Sequence, residues 1–85
     1  TAGEKIASFL LMIARSIEPA AGTDRMSARF DLPLTRADIA DFLGLTIETV
    51  SRQLTRLRAD KVIAIENNRH VIVPDLSRLE ARQGR

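Results

Sequence analysis

Leu34-Thr35-Arg36-Ala37-Asp38-Ile39-Ala40-Asp41-Phe42-Leu43-Gly44-Leu45-Thr46-Ile47-Glu48-Thr49-Val50-Ser51-Arg52 reads as two helices with a sharp bend between them. Thr35 and Thr46 each stand where an N-cap belongs, since a threonine hydroxyl accepts from a free backbone N–H of the first helical turn. Gly44 lies between them and suits the left-handed conformation that ends the first helix. Ala40 is small where the two helices must approach closely. The pattern is that of a helix-turn-helix over 35–61, with its second helix expected over 47–61.

On that second helix the residues sort by face. At about 100° per residue, Ile47, Val50, Leu54 and Leu57 fall within an arc of roughly 80° and are expected to face the core. Glu48, Ser51, Arg52, Thr55 and Arg56 occupy an arc of roughly 140° with nothing apolar in it. Arginine can donate twice to guanine O6 and N7, and glutamate can accept from cytosine N4. Glu48 and Arg52 are also four residues apart, within reach of each other, so that Glu48 can hold the guanidinium. A solvated face with one intrahelical ion pair is the bland alternative. Position favours base readout, because the first turns of the second helix are where such a motif meets the major groove.

Working outward, residues 3–17 are expected to form a leading helix within 1–18. Ile6, Phe9, Leu10, Ile13 and Ile17 recur on one face, with Leu11 and Met12 off it, and Pro19 and Gly22 mark its end. The composition from Glu18 to Ala28 reads as a loop. Phe30, Leu32 and Leu34 then alternate with polar residues or Pro33, as a short edge strand would. Beyond the two helices, Val62-Ile63-Ala64-Ile65 and His70-Val71-Ile72-Val73 flank Glu66-Asn67-Asn68-Arg69, which predicts a wing hairpin over 62–73, because Asn tolerates the positive φ of a tight turn. Asp75 can cap a short final helix over 75–82 through Leu76 and Leu79. The fold class is mostly α with a small antiparallel β-sheet, a winged helix-turn-helix in a single domain over 1–85.

Composition excludes more than it assigns. A chain of 85 residues suffices for one domain. It starts at Thr1, which suggests a piece of a longer protein. Without cysteine there are no disulfides, thiolate metal sites or iron–sulfur ligands. The longest apolar run, Phe9 to Ala14, is far too short to span a bilayer, and no signal-peptide pattern is present. A cytoplasmic module without membrane contact is expected. Net charge is only +2, yet eleven of the thirteen cationic residues are Arg, a rigid donor fork suited to phosphate and guanine edges. A GC-rich genome would give the same bias. The single histidine, His70, has no metal-ligating or catalytic company in sequence. No nucleophile–base pair, carboxylate pair or phosphate-cradling glycine loop is present, so an enzyme is not expected.

The segment from Leu34 to about Val73 resembles the C-terminal DNA-binding domain of the CRP/FNR superfamily of bacterial regulators. Glu48-Thr49-Val50-Ser51-Arg52 is similar to the Glu-x-x-Ser-Arg hallmark of the FNR and FixK branch. The cyclic-AMP receptor branch has Gly at the position of Ser51 and Arg at that of Ile47. Glu4-Lys5-Ile6-Ala7-Ser8-Phe9-Leu10 carries the likeness to the start of the chain, less specifically.

The resemblance implies a transcription regulator of the activator kind, with RNA polymerase as a partner, although promoter position rather than this sequence decides activation against repression. It implies a homodimer, joined through a helix absent from this chain, and no cofactor or metal in this domain. It places base contacts to a TTGAT-type half-site at Glu48, Ser51 and Arg52, and backbone contacts at Thr35, Arg36, Thr46 and Thr49. Arg56, at the edge of the polar arc, and Arg69, near the hairpin tip, are added from the sequence pattern itself. A competing reading from another class is a winged-helix module that binds protein without base readout. The polar arc argues against it, since a protein-binding helix usually exposes aromatic or aliphatic anchors.

Overall fold

The computed structural model describes residues 1–17 and 26–84. Helix α1 spans Ala2–Ser16, strand β1 Ala28–Asp31, helix α2 Arg36–Leu43 and helix α3 Ile47–Ala59. Strands β2 (Ala64–Glu66) and β3 (His70–Val73) and helix α4 (Leu76–Ala81) complete the described order. The expected architecture, mostly helical with a small antiparallel sheet, is the one observed. β3 lies in the middle of the sheet, in the order β1-β3-β2, and is antiparallel to both neighbours. β1 is an edge strand, as expected, but it ends at Asp31: of the three alternating residues only Phe30 lies in it, and Leu32, Pro33 and Leu34 follow it.

α1 lies against α3, α4 and β1. It buries Ile6, Ala7, Phe9, Leu10, Leu11 and Ala14, an arc of roughly 200° rather than one stripe. Leu11, placed off the apolar face by its spacing, is nevertheless only 1% exposed, because a helix wrapped by three elements has more than one inner face. The expectation for Ile17 is corrected. The helix ends at Ser16 with Ile17 extended, so Ile17 leaves the buried face and stands exposed. Met12 is exposed as expected. The loop reading from Glu18, with Pro19 and Gly22, falls largely outside the described residues. At its far end, Ala28 already belongs to β1.

The helix-turn-helix packs α2 on α3 through Ile39 and Ala40 on one side and Val50, Leu54 and Leu57 on the other, all buried. α3 stops at Ala59, two residues short of the expected 61. Lys61 adopts a left-handed φ of 59°, and the Val62 amide donates back to the Leu57 carbonyl at 2.9 Å. That helix-ending bond also changes the strand bounds. With the amides of Val62 and Ile63 both turned to the Leu57 carbonyl, β2 begins at Ala64 instead of Val62. Val62 and Ile63 still enter the core. The wing turn has the expected backbone: Asn67 and Asn68 have φ of 52° and 63°, the left-handed conformation that Asn tolerates, and with Glu66 paired to His70 the loop is the stretch 67–69. Asp75 caps α4 by accepting from the Ser77 amide at 3.0 Å.

Candidate nucleic-acid interface

Both helix starts of the motif are built by local side-chain chemistry. Thr35 Oγ1 accepts from the Asp38 amide at 3.1 Å, and Thr46 Oγ1 from the Thr49 amide at 3.1 Å. The Thr46 hydroxyl in turn donates to Thr49 Oγ1 at 2.8 Å. Thr49 thereby keeps its own hydroxyl proton for an outside acceptor, while the earliest amides of each helix remain unbonded. Gly44 has φ 70° and ψ 35°, the left-handed cap that lets the Leu45 amide donate to the Ala40 carbonyl at 2.8 Å. This bend sets the angle at which α3 leaves α2.

α3 divides as its polar arc implied. Glu48, Ser51, Arg52, Thr55 and Arg56 are all exposed, and Val50, Leu54 and Leu57 are buried. Among the described residues, Glu48 and Arg52 have no ion pair, with each other or with anything else. An exposed pair of this spacing is worth only a few tenths of a kcal/mol, too little to hold two long side chains in one geometry. Both groups consequently keep their full hydrogen-bonding capacity for a partner.

Ile47 departs from expectation: it is 52% exposed rather than turned to the core. It lies at the edge of the apolar arc and in the first turn of α3, where the helix projects past its packing partners. Ile47 thus places an exposed aliphatic group beside Glu48.

The remaining cations fall into separate places. Arg56 borders a surface cavity of about 350 Å³ together with Gly3, Gln53 and Arg82, on the side of α3 next to the start of α1. Arg69 shares a cleft of about 280 Å³ with Thr35, Arg36 and Asn68, between the start of α2 and the wing turn. The structure thus brings Thr35, Arg36 and Arg69 together. It also ties Arg36 to the wing, since its guanidinium donates to the Asn68 carbonyl at 2.8 Å. His70 Nδ1 lies 2.8 Å from Asp31 Oδ1, across the β1–β3 ladder. Among the described residues no group of His, Cys, Asp or Glu could hold a metal, and no helix is long and apolar enough to cross a membrane.

This arrangement has known counterparts. The model of the Crp-like helix-turn-helix domain family matches residues 4–82. A probable transcriptional activator of Rhizobium leguminosarum bv. viciae is 65% identical over 80 residues, covering 94% of this chain and 32% of that protein. The transcriptional activator protein FnrL of Cereibacter sphaeroides is 56% identical over 87 residues, covering 99% and 34%. The solved structure of FixK2 from Bradyrhizobium japonicum superposes with a TM-score of 0.83 at 35% identity, covering 100% of this chain and 39% of that one. The chain spans about a third of the length of the curated relatives it matches.

Proposed function

The chain belongs to the Crp-like helix-turn-helix family, and on that premise we propose that it binds double-stranded DNA as the reading domain of a transcriptional activator. The observation that carries this is the outward face of α3. Five polar residues are exposed there, and its Glu and Arg are unpaired, on a helix whose opposite side is fixed in the core. α3 enters the major groove by its N-terminal turns. Arg52 donates to guanine, Glu48 accepts from cytosine N4, and Ser51 bonds a neighbouring base edge, at a TTGAT-type half-site. Ile47 meets a thymine methyl.

Thr35, Arg36, Thr46, Thr49, Arg56 and Arg69 supply the phosphate contacts that set register and add no sequence information. Two such domains, brought together in a homodimer, read the halves of a palindrome and present an activating surface to RNA polymerase. The relatives' names as transcriptional activators support that whole-protein reading. No cofactor acts in this domain, and its place is the cytoplasm.

A gel shift of the 85-residue chain on a TTGAT-type palindrome against a scrambled duplex tests the proposal. A preferential shift of the palindrome supports it, and equal or absent shifts overturn base readout. Phe42, 62% exposed, and Met12, 52% exposed, line an apolar groove on α1 and α2, a feature that favours an added protein contact. Under the competing reading, a protein-binding winged helix, neither duplex would shift.

A further inference from the structure

Three consecutive wing residues are held by one short segment across the cleft. The Arg36 guanidinium donates to the Asn68 carbonyl at 2.8 Å. The Leu32 amide donates to the Arg69 carbonyl at 2.8 Å. The Asp31 carboxylate meets the His70 ring at 2.8 Å. The last two continue the edge of the sheet. The Arg36 bond is of another kind, because Arg36 is the first residue of α2 and so joins the wing turn to the helix-turn-helix.

The wing needs such a tie. β3 is held on both sides by β1 and β2, but the turn lies past the last β2–β3 pair, Glu66–His70. Its turn is built from two asparagines in left-handed conformation, which orient the Asn68 carbonyl but do not fix where the tip lies relative to α3. A planar guanidinium with a fixed fork of donors holds one carbonyl in a defined direction and leaves further donors for a phosphate.

We propose that Arg36 is a positioning residue for the wing: it locks the turn against the helix-turn-helix so that the cation of Arg69 meets the DNA backbone at a set distance from α3. Arg36 then acts on DNA through Arg69 more than through its own charge. This rests on the DNA-binding reading above. The order of the wing, however, is measurable without DNA.

The test uses Arg36→Met, which keeps the stem and removes the fork, in the whole 85-residue chain. In the DNA-free protein, the Arg69 amide should exchange about tenfold faster, while the core amide of Val71 keeps its rate. Affinities of the wild type, Arg36→Met, Arg69→Ala and the double variant are then read on the palindrome and on the scrambled duplex. The cycle should show coupling of about threefold or more on both, since the coupled contact is to phosphate. Unchanged exchange at Arg69, or single effects that multiply independently, would overturn the lock. If the wing loosens but even the wild type binds neither duplex, the DNA reading fails, and with it the purpose assigned to the lock.

Discussion

Arg52 stands on the exposed face of α3 with no carboxylate on its guanidinium among the described residues. If it is bidentate to guanine, Arg52→Lys costs roughly 1–3 kcal/mol on the specific site. Binding to scrambled DNA stays nearly unchanged, because the charge is kept. Titration of both duplexes checks this, and equal losses would mean that Arg52 holds only phosphate. Ile47 gives a second readout. Replacing the contacted thymine by uracil removes one methyl, which should weaken wild-type binding by about 0.8 kcal/mol. Ile47→Ala should be indifferent to that change. Gly44 tests the bend itself: a Cβ there meets nothing within 4 Å, so Gly44→Ala incurs only the backbone cost of φ 70°, about 1–2 kcal/mol by thermal unfolding. At this scale the caps were legible, because Thr35, Thr46 and Gly44 act on atoms within a few residues. Ile47 was not, since a helical wheel carries no record of where the packing partner ends.

α1 shows the same limit at the scale of an element. A single stripe presumes one flat neighbour, whereas α1 is enclosed by α3, α4 and β1, and that enclosure is what brings Leu11 inside. α3 and the wing turn were easier to read, for their periodicity and their Asn pair are local signals. The bounds of α3 and β2 were less so, because Lys61 in the left-handed position and the Val62–Leu57 bond together move the strand start. α4 carries a pH signature. The Ser77 hydroxyl and amide both donate to the Asp75 carboxylate, with Arg78 adding a favourable charge, and hold its pKa below the ordinary value. A depressed carboxyl stabilises fully above its unfolded pKa and loses that contribution as pH falls through the folded one. The stability advantage of the wild type over Asp75→Asn should therefore be present at neutral pH and shrink in acid. Denaturant melts across that range check it, and a gap that widened on acidification would contradict the assignment.

For the whole molecule the question is how much binding one reading head supplies. The relatives are about three times as long as this chain, and a lone domain lacks the linkage that raises the effective concentration for the second half-site. Joining two copies through a coiled coil should raise affinity for a palindrome by roughly 10²–10⁴-fold when the half-site centres lie about one helical turn apart. No such gain should appear on a single half-site. Sedimentation should show the bare chain as a monomer, and a stable dimer would contradict this. The Arg36–Asn68 tie was beyond sequence reading, for it joins residues 32 positions apart that no periodicity links. The β1–β3 register has a consequence of a different sort. It pairs Asp31 with His70, 39 residues on, and so encloses the entire helix-turn-helix within one long chain closure. The β2–β3 hairpin is local and can close in microseconds, but β1 cannot dock until β3 exists. On a ribosome adding about 5–20 residues per second, Phe30 and Leu32 emerge seconds before the strand that covers them. Assembly of the helix-turn-helix is thus gated by the synthesis of β3, and a chain released before His70 would expose these two residues to aggregation or to a chaperone.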